Sequence, residues 1–138
     1  MARRLILDTT ALIAFERRTL DRAALADDDV AIAAITVAEF RLGVELADTP
    51  SRAAHRQAVL DAIVSSVPVL DYTARTANMH ARLLAHTRRT GRPRGAHDLI
   101  IAATAAEHSR TVMSADAQAR YDDLPDITWA PTPPHASR

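Results

Sequence analysis

The sequence predicts an α/β domain with a mainly parallel central sheet. Short apolar runs alternate along the whole chain with stretches of helical periodicity, the pattern of strands joined by helical crossovers. The first run, Leu5-Ile6-Leu7, is apolar at every position, as a strand covered on both faces must be. An acid, Asp8, follows that run at once, and ligand sites in open α/β sheets lie beyond the carboxyl ends of the strands.

A chain of 138 residues is one domain. The domain is expected over 1–129, followed by a flexible tail over 130–138 that carries three of the seven prolines. There is no cysteine, which excludes a disulfide framework, thiolate zinc sites and a cysteine nucleophile. No apolar run approaches the length of a membrane span. The basic, then apolar start is too short for a signal peptide and is interrupted by Asp8, so a soluble cytoplasmic protein with no membrane partner is expected. The formal net charge is zero, and all 17 basic residues are arginine. Compositional drift accounts for that bias, although arginine forks also suit bidentate contacts to phosphate or carboxylate.

Helical patterns cover 10–18 and 36–47, the latter broken by Asp48-Thr49-Pro50-Ser51. Ser51 is the expected N-cap of a helix over 52–65, with Ala54, Ala58 and Ile63 inward. Strands are expected at 30–35 and 67–70, and Asp27-Asp28-Asp29 reads as a solvated turn. Asp71 or Thr73 caps a long helix to about residue 89, with Ala77, Ala81, Leu84 and Ala85 inward. A loop with two glycines and a proline, 90–95, leads into a helix over 96–108 that is apolar all round and therefore buried. Strands at 111–113 and 127–129 complete the set.

Four acids stand out. Asp8 and Asp116 follow apolar strands, Glu39 follows the second strand, and Asp98 lies in the first turn of the most apolar helix. Three of them have an ordinary reading beside the functional one. Asp98 favours a helix dipole, Asp116 suits a turn or cap, and Thr36-Val37-Ala38-Glu39 matches a capping box. If the four meet, like charges at short range raise their pKa values unless a cation neutralises them. All-oxygen ligands suit Mg²⁺ or Mn²⁺, and the chemistry such a site serves is phosphodiester hydrolysis. Thr10 and Ser114 are placed to hold a water or a phosphate oxygen. The basic loop containing Arg88, Arg89, Arg92 and Arg94 precedes Asp98 and reads either as a phosphate guide for a nucleic acid or as a solvated loop.

Four segments carry a family resemblance: Leu7-Asp8-Thr9-Thr10-Ala11-Leu12-Ile13, Thr36-Val37-Ala38-Glu39-Phe40-Arg41-Leu42-Gly43, His97-Asp98-Leu99-Ile100-Ile101-Ala102-Ala103-Thr104 and Val112-Met113-Ser114-Ala115-Asp116. In this order and spacing the chain resembles a PIN-domain ribonuclease of the VapC toxin type, from residue 5 to about 129. The resemblance implies a three-layer α/β/α PIN-like domain and an endoribonuclease dependent on Mg²⁺ or Mn²⁺. It assigns Asp8, Glu39, Asp98 and Asp116 to an acidic metal-binding quartet, with Thr10 at a small polar position, Ser114 where threonine is common, and Tyr121 where phenylalanine usually precedes the last strand. It further implies a homodimer, an RNA substrate and a VapB-like antitoxin that threads a segment through the active-site groove.

Other readings fit less well. Haloacid-dehalogenase-type phosphatases and response-regulator receivers need a lysine, and the chain has none. The six histidines show no i,i+4 pair for zinc, and His97 reads as a helix-start residue. A catalytically silent PIN-like module that binds RNA or protein is the main alternative, set against by the intact acids. The same site acting on DNA is a third, since a 2′-hydroxyl contact leaves no mark in sequence.

Overall fold

Five parallel strands, β1 (Arg4–Leu7), β2 (Asp29–Ala33), β3 (Val69–Leu70), β4 (Thr111–Ser114) and β5 (Trp129–Pro131), form one sheet in the computed structural model, which describes residues 2–135. Their order is β3-β2-β1-β4-β5, with every neighbouring pair parallel. The chain therefore builds outward from β1 through β2 to β3, then crosses to the other side of β1. The reversal between β1 and β4 opens a crevice at their carboxyl ends, the usual place for a site in such a sheet.

Five helices cover the sheet: α1 (Thr9–Glu16), α2 (Ala34–Glu45), α3 (Pro50–Ser66), α4 (Ala74–Thr90) and α5 (Ala96–Glu107). Alternate β1 side chains enter opposite cores, because strand side chains alternate in direction. Ile6 packs with Val112, Leu83 of α4, and Leu99 and Ile101 of α5. Leu5 and Leu7 pack with Met113, Leu12 of α1 and Ile63 of α3. A three-layer α/β/α domain follows, as expected. α5 is buried from Ile101 through Ala105, which explains why it is apolar all round.

Several boundaries differ from expectation for local reasons. β2 ends at Ala33, and α2 starts directly at Ala34 with no side-chain cap. The capping box expected at Thr36 and Glu39 therefore does not form; Thr36 lies inside the first turn, fully buried, with its Oγ1 unpartnered. Thr49, not Ser51, caps α3 by accepting from Arg52 N at 3.1 Å, with Pro50 supplying a pre-set φ at the first helical position. Thr73 caps α4 in a reciprocal box with Thr76, and the helix ends at Gly91 at φ 64°, a left-handed position that glycine takes without strain. The buried residues of α4 are Thr76, Leu83 and Thr87; Leu84 packs against the core as expected, while Ala81 is exposed. Thr76 tolerates burial because its hydroxyl donates to Glu107 Oε2 at 2.5 Å. On α3, Leu60 and Ile63 are buried while Ala54 and Ala58 are exposed.

The triple-aspartate run is not simply a solvated turn. Arg3 grips Asp28 through its backbone N–H and guanidinium, holding that carboxyl below its usual range, and Asp29 opens β2. The tail does not loosen at residue 130. β5 runs to Pro131 beside β4, Asp21 N donates to Pro133 O at 3.1 Å, and Leu20 bridges Pro134. Residues 136–138 of the expected tail lie outside the described residues. Among the described residues no helix is long and apolar enough to cross a membrane.

Candidate active site

Asp8 stands where β1 gives way to α1, and it caps that helix. Its Oδ1 accepts from Ala11 N at 2.9 Å and from Thr10 Oγ1 at 2.6 Å, which fixes the carboxylate in a nearly closed position, 2% exposed. Thr10 in turn accepts from Ala115 N at 3.0 Å and lies 3.4 Å from Ser114 Oγ, so it links the carboxyl ends of β1 and β4. Ser114 Oγ accepts from Asp116 N at 3.0 Å and so shapes the turn after β4. Asp8, Thr10 and Ser114 thus meet at the switch between the two strands, as their positions in sequence anticipate.

Glu39 reaches the same edge from α2. Thr9 Oγ1 donates to its Oε1 at 2.7 Å, and His97 Nδ1 lies 3.6 Å from that oxygen. Asp98 enters from the first turn of α5, half-buried. Asp116 is exposed and caps the short turn Ala117–Ala119, accepting from Gln118 N at 2.9 Å. Its ordinary cap role is therefore real, yet its charge still acts on the site. Burial pushes the Asp98 carboxyl above its usual range, and the charges of Asp8, Asp116 and Glu39 push it further, against a lowering hydrogen bond from Tyr121. The charges of Asp8, Asp116 and Glu39 are thus felt at Asp98.

Tyr121 was not among the residues singled out for function. Its hydroxyl lies 3.2 Å from Asp8 Oδ2 and 3.2 Å from Asp98 Oδ1, and the ring is buried in the core. Burial, then the two carboxylates, push the phenol pKa up, so it stays a protonated donor. Thr9 and His97 also escaped, although both neighbour a predicted acid. The available signal was the tyrosine at a position where the resemblance expects phenylalanine: an extra hydroxyl in a core needs a partner.

The acid set suits a hard divalent cation in donor chemistry, since it offers only oxygens. Among the described residues no group of three or more acidic or imidazole side chains is placed to hold a metal ion. Asp8 and Asp98, which share the Tyr121 hydroxyl, are the pair through which an ion that keeps waters would bind.

The arginine loop differs from the flexible guide that its composition implies. Arg94, with a side chain only 9% exposed, donates to Asp123 Oδ2 at 2.6 Å, and Arg92 Nη1 reaches both oxygens of that carboxylate at 3.1 Å. Arg88 and Arg89 lie exposed in the last turn of α4. Beside Glu39 a groove of about 430 Å³ opens between α1, α2 and α3, with Ile13, Phe40 and Val59 in its walls and Arg17 and Arg56 among its polar residues.

Comparison with known proteins agrees with this geometry. The PIN domain family model matches residues 5–124. Ribonuclease VapC5 of Mycobacterium tuberculosis is 41% identical over 114 residues, covering 80% of this chain and 82% of that protein. The crystal structure of VapBC-5 from Mycobacterium tuberculosis, a member of the VapBC family of toxin-antitoxin systems, matches 94% of this chain and 98% of its counterpart at 32% identity and a TM-score of 0.74. The DNA-bound VapBC structure from Salmonella typhimurium shares the fold, with a TM-score of 0.83 over 95% of this chain and 98% of that one at 24% identity. These matches over most of its length place this chain in the PIN domain family, among its VapC-type members.

Proposed function

We propose that this protein is a Mg²⁺- or Mn²⁺-dependent endoribonuclease acting in the cytoplasm as the toxin of a VapBC-type pair. The observation that carries the reading is the meeting of Asp8 and Asp98 at one hydroxyl, that of Tyr121, at the carboxyl end of the sheet, with Glu39 held alongside by Thr9. The similarity to Ribonuclease VapC5 supports RNA as the substrate class.

Asp8, Glu39, Asp98 and Asp116 would hold the cation, which when bound would polarise the attacking water and offset negative charge growing on the phosphate. Water adds to phosphorus as the P–O bond to the leaving oxygen breaks, yielding a phosphate monoester and a free hydroxyl. Thr9 holds the Glu39 carboxylate in place, and Thr10 does the same for Asp8. Thr10 and Ser114 offer hydroxyls at the crevice for a phosphate oxygen. Arg88 and Arg89, exposed beside the approach to α5, are the arginines free to guide the backbone of RNA; Arg92 and Arg94 would first have to share or leave Asp123.

An antitoxin segment in the groove beside Glu39 would bury Ile13, Phe40 and Val59 and reach the acids with a basic side chain. The VapBC structures among its relatives support such a partner. Leu42 and Leu46 of α2 and Val64 of α3 are exposed and would be covered in a homodimer.

The test is cleavage of total RNA by the purified, antitoxin-free chain with Mg²⁺, with Mn²⁺ and with a chelator, beside Asp98→Asn and a DNA substrate. Discrete, metal-dependent RNA fragments that Asp98→Asn fails to produce are expected. Inactivity of the folded chain with both metals would refute the nuclease reading, and cleavage of DNA alone would reassign the substrate.

A further inference from the structure

We propose that Tyr121 is a positioning residue, whose buried hydroxyl ties the Asp8 and Asp98 carboxylates together and fixes the separation at which they meet a divalent cation. The inference rests on the metal-site reading of the acids. Three observations carry it. The single Oη lies 3.2 Å from an oxygen of each carboxylate, although the two acids are 90 residues apart in sequence and come from different elements. The other Asp8 oxygen is already taken by Thr10 and Ala11, so Asp8 cannot turn away from Tyr121 without losing a cap. The ring is 1% exposed, which leaves the hydroxyl little freedom to follow a moving carboxylate.

The short turn Tyr121–Asp123 is anchored from a second side. Asp123 receives Arg92 and Arg94, which lie in the loop that leads into α5 and Asp98, and His86 Nε2 lies 3.1 Å from its carbonyl. One turn therefore holds the Asp98 carboxylate directly and the segment before Asp98 through a carboxylate clamp. Outer-shell partners of this kind set ligand orientation, and their loss typically weakens metal binding or activity by about 10- to 100-fold.

The test is Mn²⁺ binding by calorimetry on the full chain without RNA, for wild type, Tyr121→Phe and Leu124→Ala. Phenylalanine keeps the ring and removes only the hydroxyl. Its Mn²⁺ Kd should rise about tenfold, while kcat at saturating Mn²⁺ falls far less. Leu124→Ala loosens the same region of the core without touching the hydroxyl, so it should lower the melting temperature and leave the Mn²⁺ Kd unchanged. Unchanged Mn²⁺ affinity in Tyr121→Phe overturns the positioning role and leaves the nuclease reading standing. Equal weakening by Leu124→Ala overturns it in favour of packing alone. A wild-type chain that binds no Mn²⁺ overturns both the inference and the metal site beneath it.

Discussion

Gly95→Ala probes how closely Asp98 must be held. Gly95 precedes α5 with φ −57° and ψ 135°, a conformation that alanine adopts without strain. A Cβ there would lie 3.1 Å from Asp98 Oδ2 and 3.5 Å from its Cγ, and the other atom within 4 Å is Asp98 Cβ. The backbone can stay where it is, and the carboxylate must yield by a few tenths of an ångström. Stability should barely change. Restricting the unfolded chain favours alanine by about 0.4–1 kcal/mol, and losing glycine at an N-cap position costs a comparable amount. Activity is more exposed. If a misplacement of about 1 Å costs about 100-fold, a shift of about 0.3 Å, scaled in free energy, costs about fourfold. The assay is the initial rate of RNA cleavage at saturating Mn²⁺, with a melting curve on the same preparation. An undiminished rate would show that the acid need not occupy this position. A large drop in melting temperature would show that the backbone, not the side chain, took up the strain.

Asp98→Asn should raise the melting temperature of the metal-free chain at neutral pH even as it abolishes activity. A carboxyl whose folded pKa is raised penalises the fold as pH climbs above the unfolded value of 3.8, so the gain should vanish in melts below that pH. Arg94→Ala should destabilise more than Arg92→Ala, because the Arg94 side chain is nearly buried and that of Arg92 is largely exposed. Arg92 and Arg94 together hold the Asp123 carboxyl below its usual range, so this stabilisation is fully present above the unfolded value of 3.8 and should be lost in melts as pH drops below it, through the depressed folded value. Changing Arg88 and Arg89 to serine should weaken RNA binding and reduce its logarithmic salt slope by up to about 1.4, at about 0.7 per phosphate contact on a single strand. An unchanged slope in a salt titration rejects them as phosphate contacts. Thr36→Val should stabilise by about 1 kcal/mol in denaturant unfolding, since the buried hydroxyl has no partner; a loss of stability would reveal one.

The sequence alone determined the layers and the main acid positions. Leu5-Ile6-Leu7 could only be a strand covered on both faces, and α5, apolar all round, could only be a buried helix. Asp8 and Asp98 were legible because a charge at the end of such a segment demands a reason. Element boundaries were less legible where local signals competed: Thr36 looks like a cap but lies within the first turn of α2, because the chain passes from β2 into the helix without a loop. Only the tertiary structure decided which groups meet. The Tyr121 hydroxyl joins Asp8 across 113 positions and Asp98 across 23, and Asp123 claims two arginines that in sequence look free. Periodicity reports which side of a strand or helix is buried. The partner of a polar atom depends on how separate elements stack, and that is set by the packing of the whole core.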